Sequence, residues 1–222
     1  MINAKLQQLD DSERKMKHVI ALLFFCFMPS VLLIALMLGA TMILESLENL
    51  NLYQEVFLQQ TIPMLLALGI IPAFFYKKYL DGSNRTVFNL RMKKNFSTVF
   101  LLLLLGGFAI FLLIYLESSI LVFPLIIHHT VVAITEEFMI RGLITEQLAR
   151  LFKNEWVAIV ASALIFAFVF HSARDVASNF LFRFPLALTL SLIYKKTKSL
   201  ALPIVLHWLL NSVVTVLEVM VV

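Results

Sequence analysis

The chain has 222 residues, 61% of them hydrophobic and 14% charged, and its mean hydropathy is +0.92. Soluble domains average about 45–50% apolar, so a soluble globular domain is excluded and an integral membrane protein of one all-α helix bundle is expected. The formal charge of +4 says less than its placement, and a single cysteine, Cys26, excludes an internal disulfide.

Residues 1–17 are polar and mixed in charge, with Asp10, Asp11, Glu13, Arg14, Lys15 and Lys17. They read as a cytoplasmic N-terminal segment, a short interfacial helix being one form of it. The first hydrophobic run, about His18 to Leu44, is too long for a signal-peptide core and is expected to stay as the first span. Pro29 lies inside it and is a candidate kink. An acidic loop with Glu45, Glu48 and Glu55 leads to a second span, about Val56 to Tyr76, carrying Pro63 and Pro72.

The longest polar loop follows, Lys77 to Asn95, with a turn signal at Asp81 to Asn84. A third span is expected at about Phe96 to Leu116, with Gly106 and Gly107 allowing a close approach or a bend. The fourth starts near Ile120 and runs through Glu136 and Glu137, continuing as an amphipathic piece to about Lys153. The fifth begins near Trp156 and reaches His171. The polar stretch Ser172 to Asn179 links it to a short sixth span, Phe180 to Tyr194. The last covers about Leu200 to Val222. No internal repeat or linker interrupts this order.

Seven spans place the basic residues with a clear bias. The N-terminus, the 77–94 loop, the 141–153 segment and the 195–198 loop hold sixteen of the eighteen Lys and Arg, and only Arg174 and Arg183 fall on the other side. Basic loops stay cytoplasmic, so the N-terminus is expected inside and the C-terminus outside. The basic 77–94 loop is expected to set topology and meet anionic lipid. No basic–aromatic surface suits nucleic acid, which is excluded as a partner.

Three polar groups interrupt these apolar spans. Glu136 and Glu137 stand in IIHHTVVAITEEFMIRGLI, where charge is costly and marks function by default. Each residue turns a helix by roughly 100°, so the two carboxylates cannot share a face. Arg141, four residues after Glu137, can pair with it. Glu136 is left without a local partner. The bland alternative is a helix end at the water interface. His171 closes SALIFAFVFH, and His207 and Asn211 share one face of the last helix at i and i+4. Taken alone, a histidine on an apolar helix is often just a packing residue. The coincidence of a carboxylate, two imidazoles and an amide on three spans is what suggests chemistry.

Such a set suits hydrolysis. A carboxylate takes a proton from water, imidazoles orient that water or protonate a leaving group, and an amide stabilises an oxyanion. The same side chains can hold zinc, yet no HExxH pair lies on one helix, so spacing gives metal binding little support. By helical rise His207 lies roughly 10 Å into its span and His171 roughly 22 Å. Either the fifth helix starts below the membrane surface or a watery cavity reaches the midplane. His128 and His129, two turns before Glu136, read as cavity-lining or packing residues. Arg174 and Asp175 read as an exposed turn.

These three segments together resemble the motifs of the CPBP family, the CAAX protease and bacteriocin-processing (Abi) intramembrane proteases, which include the type II CAAX prenyl endopeptidases. The Glu-Glu-x-x-x-Arg motif is matched by Glu136, Glu137 and Arg141, and His-x-x-x-Asn by His207 and Asn211. Phe-x-x-x-His is matched imperfectly: Ala167 stands four before His171, and the aromatics Phe166 and Phe168 flank it. The resemblance covers about Leu121 to Val214 and makes residues 117–222 a catalytic core of four spans, after three spans in 18–116.

The resemblance implies an intramembrane endopeptidase acting on a peptide or membrane-protein substrate, and the short length and minimal loops fit a bacterial cytoplasmic membrane. Glu136 would activate water with help from His171, Glu137 and Arg141 would organise the site, and His207 and Asn211 would stabilise the oxyanion. The family is described both as metalloprotease and as metal-free. A zinc ion would fall to Glu136, His171 and His207. Peptide processing and bacteriocin self-immunity are the roles it suggests. Two other classes compete: a non-catalytic membrane partner, such as an immunity protein or sensor-kinase modulator, and a small transporter using Glu136 and the histidines as a proton relay.

Overall fold

A computed structural model describes residues 2–46, 51–80, 89–90, 108 and 122–221. Its described elements are all helical, with no strand among them. The third span, with Gly106 and Gly107, falls outside the described residues, as does most of the 77–95 loop, so the seven-span count and the orientation do too. Six helices are described: α1 (Ile2–Leu44), α2 (residues 52–79), α3 (residues 122–152), α4 (Glu155–Phe170), α5 (Val176–Thr197) and α6 (Ala201–Val221).

Among the described residues three stretches are long and apolar enough to cross a membrane, namely Ser12–Leu44, Tyr53–Tyr79 and Val176–Thr197. Ile20, Leu23, Phe27, Val31, Ile34 and Leu38 of α1 point outward. A continuous apolar outer surface of this kind is what lipid covers and water does not. Helix α4 measures about 24 Å by its rise per residue, shorter than the roughly 30 Å hydrocarbon core.

Several boundaries differ from the sequence reading. The polar N-terminal segment is not a separate helix, because α1 runs unbroken from Ile2 through His18. Pro29 does not end it. The second span extends to Tyr53 and Tyr79. The expected link 172–179 is non-helical only through Asp175, whose carboxylate accepts from the backbone N–H of Ala177 and Ser178, at 2.9 Å each, and so starts α5 at Val176. Arg174 and Asp175 are exposed, as the turn reading expected.

Local widening of the helical turn recurs. In α2 the residue before each proline bonds five residues back: Ile62 N–H to the Phe57 carbonyl and Ile71 N–H to the Leu66 carbonyl. Proline removes a donor and its ring crowds the carbonyl four residues earlier. The wider π turns, Val56–Thr61 and Leu65–Ile70, absorb this without breaking the helix. Gly69 lets α2 approach α3 closely, since a Cβ there would meet the Thr135 methyl at 3.2 Å.

Helix α3 is the centre of the bundle. Every residue from 135 to 145 is buried, which is the pattern of a helix enclosed on all sides. Its Phe138, Met139, Ile140, Leu143 and Ile144 pack with Phe25 of α1, Leu68 and Tyr76 of α2, Ala163 and Phe166 of α4, and Ala187 of α5. Polar clasps fix neighbouring helices to it. Gln147 Oε1 meets His18 Nδ1 at 2.8 Å, Thr61 Oγ1 meets His128 Nδ1 at 3.0 Å, and Thr215 Oγ1 meets His129 Nε2 at 2.7 Å. His128 and His129 are therefore helix-packing residues. The Trp208 indole N–H donates to the Ile126 carbonyl at 3.3 Å, adding a second tie between α6 and α3.

The polar end of α4 is built from its own sequence. Asn154 caps it, accepting from Trp156 N–H at 3.0 Å and Val157 N–H at 3.3 Å. Glu155, just outside the apolar run, accepts from Lys198 Nζ at 2.7 Å and pairs with Lys195 Nζ at 3.2 Å. Lys195 also lies 3.7 Å from the centroid of the Trp156 ring. Hydrogen bonds from Lys198 and Lys195 hold the Glu155 carboxyl below its ordinary value of 4.5. A carboxyl lowered on folding stabilises the fold above its unfolded value and stops doing so as pH falls through the folded one. Wild type is thus expected to exceed Glu155→Gln in detergent stability at neutral pH, by less than about 1 kcal/mol because the pair is exposed. The gap should close on acidification below pH 4.5. A gap that stays constant with pH in thermal melts would remove the ion pair from the account.

Candidate active site

Helix α3 places Glu137 and Arg141 one turn apart with no exposed side-chain surface on either. Arg141 Nη1 donates to Glu137 Oε1 at 2.8 Å, and Nη2 donates to the Ala187 carbonyl of α5 at 2.9 Å. The i,i+4 spacing read from the sequence is realised here. Arg141, counted among the basic residues of the inner side, is in fact a fully buried member of the site. Its stretch Phe138–Ile144 is π-helical, and Thr145 N–H bonds to the Ile140 carbonyl five residues back.

Helix α6 brings His207 against both carboxylates. Its Nδ1 lies 2.8 Å from Glu137 Oε1, and its Nε2 lies 3.7 Å from Glu136 Oε2. A carboxylate accepts only, so Nδ1 carries the proton, and Nε2 is the atom that faces Glu136. Glu137 Oε1 thus serves a guanidinium and an imidazole together. The Glu136 side chain makes no direct hydrogen bond among the described residues. Its side chain keeps 11% exposure, against 0% for Glu137. The two adjacent glutamates have been given different work by the helical rotation between them. One is locked into a hydrogen-bonded cluster and the other is left with its oxygens available.

The cluster is not built for stability alone. Glu137 Oε2 and Arg141 Nε are buried without a hydrogen-bond partner among the described residues. Buried ion pairs barely recover their desolvation cost even when fully satisfied. A half-satisfied one in a membrane helix is the kind of local inconsistency found at functional sites.

His171 sits where α4 ends. Its Nδ1 donates to the Phe166 carbonyl at 3.0 Å, so Nε2 is the ring nitrogen left with a lone pair. Its own carbonyl accepts from Asn179 Nδ2 at 2.9 Å, and Arg183 Nη1 holds Asn179 Oδ1 at 3.2 Å and Ser178 Oγ at 2.8 Å. Asn179 and Arg183 were not foreseen as supports. Their signal was available: polar residues four apart where an apolar helix begins. Asn211 lies half-buried one turn beyond His207 on α6 and makes no side-chain hydrogen bond among the described residues. The structure therefore joins Glu136, Glu137, Arg141 and His207 by direct contact. It links His171 to them through the Phe166 ring, and it leaves the Asn211 amide uncommitted. Zinc, one expectation of the resemblance, finds no three-ligand set of His, Cys, Asp or Glu among the described residues, so Glu136, His171 and His207 as placed do not fit it.

Apolar membrane-length helices around a buried carboxylate–guanidinium–imidazole cluster define a helical membrane protein with the makings of a hydrolytic site. Residues 119–213 match the family model described as type II CAAX prenyl endopeptidase Rce1-like. This segment, which contains every residue of the cluster, is what the chain has in common with the type II CAAX prenyl endopeptidases. Comparison with curated proteins and with solved structures finds no match.

Proposed function

We propose that this protein is an intramembrane endopeptidase in which Glu136 activates water against a peptide bond. The observation that carries this is the asymmetry of the glutamates. Glu137 is neutralised by Arg141 and holds His207 by Nδ1, while Glu136 faces His207 Nε2 at 3.7 Å with its oxygens otherwise free of direct protein hydrogen bonds among the described residues. The relationship to CAAX-type proteases supports a hydrolase of this kind.

The chemistry follows from those positions. Glu136 removes a proton from water as the oxygen attacks the scissile carbonyl. The new oxyanion is met by the Asn211 amide and by His207 when Nε2 carries a proton. The C–N bond then breaks, and the proton held by Glu136 passes to the leaving amine. His171, with Nε2 free of the bond that fixes its ring, is the second group that can orient the water. All of these steps use side chains of the protein, and the substrate is a peptide or a membrane protein presented from the bilayer. Peptide processing and bacteriocin self-immunity are the physiological roles such an activity would serve.

The test compares host membranes carrying wild type and Glu136→Gln at equal expression, with peptide termini mapped by mass spectrometry. Termini present only with wild type are expected, and their sequences reveal the substrate. Identical termini, with a host phenotype retained by the variant, would replace this reading with a non-catalytic membrane partner.

A further inference from the structure

We infer that Phe166 is a positioning residue of the site, coupling His171 to the Glu137–Arg141–His207 cluster through its ring, and that the π-helical turn Phe166–Phe170 is what brings it there. This rests on the hydrolytic reading above for its consequence, but not for its geometry.

One ring meets three of the site's polar groups. The Phe166 centroid lies 4.6 Å from that of His171 and 6.1 Å from that of His207, and the Arg141 guanidinium carbon lies 5.4 Å from it. Phe166 is 3% exposed. A phenylalanine serving only as core filler would meet aliphatic neighbours. Here the edge-on imidazole of His207, the tilted imidazole of His171 and the cation of Arg141 all use the same aromatic surface. The ring fills the space between the end of α4 and the facing helices α3 and α6. A shift of Phe166 therefore moves both histidines relative to Glu136.

The backbone explains the spacing. Phe166 and His171 are five residues apart, a separation that an α-helix of 3.6 residues per turn does not bring onto one face. In the segment Phe166–Phe170 the turn is π-helical, with i→i+5 pairing and a wider turn, so residues five apart come back near one face. The His171 side chain reinforces this by donating to the Phe166 carbonyl, the acceptor five positions back. Phe166 thereby takes the place that a residue four before His171 would occupy in an ordinary turn, and Ala167 is the extra residue. Phe168, equally aromatic and two residues on, makes no ring contact with either imidazole among the described residues.

The experiment uses the full chain, labelled in its histidines, in detergent micelles. Phe166→Leu is expected to shift the imidazole C–H resonances of His171 and His207 while those of His18, His128 and His129 stay in place as a folding control. Phe168→Leu should move none of them, and Phe166→Tyr should keep the wild-type pattern. Deleting Ala167 should let the turn revert to α-helix with Phe166 and His171 still in contact, so both resonances stay near their wild-type positions. On a peptide found by terminus mapping, Phe166→Leu should lower kcat by about 10²-fold, as misplacement of reacting groups does, with KM nearly unchanged. Phe166→Tyr should restore it.

Unmoved His171 and His207 signals in Phe166→Leu would overturn the proposal. So would a deletion variant that folds yet loses the His171 pattern. The two readings separate cleanly. Resonance shifts as expected, without any Glu136-dependent termini, would end the protease reading alone. Glu136-dependent cleavage with an indifferent Phe166 would end this one alone.

Discussion

Replacing Glu137 with alanine is expected to destabilise the protein by about 3–5 kcal/mol, the usual consequence of removing one partner from a buried ion pair. Two groups lose their acceptor at once. Arg141 Nη1 and His207 Nδ1 both reach the same oxygen at 2.8 Å. Arg141 has no exposed surface and keeps only the Ala187 carbonyl, with Nε already unpartnered among the described residues. An uncompensated guanidinium inside a membrane bundle has no water to turn to. Glu137→Gln retains an acceptor oxygen and should fall between wild type and alanine. Replacing Glu137 and Arg141 together with apolar residues of similar volume should cost less than the sum of the single changes, because neither then leaves a buried charge behind. Unfolding in mixed micelles gives the comparison. Equal stability of Glu137→Ala and Glu136→Ala would refute the division of roles between the glutamates.

The part of this arrangement legible in the sequence was the part set by regular helix geometry. Glu137 and Arg141 sit four apart on the central helix, and their pairing followed from that spacing alone. The apolar runs located all six of the helices that the described residues contain, to within a few residues at most ends, because apolar length is what a membrane demands. What escaped depended on tertiary partners or on irregular turns. No spacing rule says that His207 will choose Glu137, since the two are seventy residues apart. The start of α5 was placed four residues late because Val176 to Asn179 reads as polar, although Asp175 caps it. The second motif is out of register by a count of residues, with Ala167 four before His171, and the turn Phe166–Phe170 at that place is π-helical. The π turn adds one residue locally, and neither composition nor periodicity records it. The continuous α1 was missed for a related reason. A polar segment can continue a helix into water as readily as it can end one, and the switch in polarity marks the membrane rather than the helix.

Glu136→Gln should separate chemistry from folding. Turnover of a mapped peptide is expected to fall by about 10²–10⁴-fold, the range that loss of a general base produces. Unfolding in micelles should change little, because the carboxylate makes no direct hydrogen bond among the described residues and the amide has nearly the same shape. The nearest protein group is His207 Nε2, at 3.7 Å, and His207 stays fixed through Nδ1 whatever occupies position 136. The loss should appear in kcat rather than in KM, since Glu136 acts on the water and contributes nothing to holding the peptide. Glu137→Gln supplies the contrast, losing stability and rate together because it loosens the histidine as well as the arginine. If Glu136→Gln unfolds as easily as Glu137→Gln, position 136 is a structural member of the cluster. If it cleaves at the wild-type rate, the water must be activated elsewhere, and His171, whose Nε2 is free of the bond that fixes its ring, becomes the base to test.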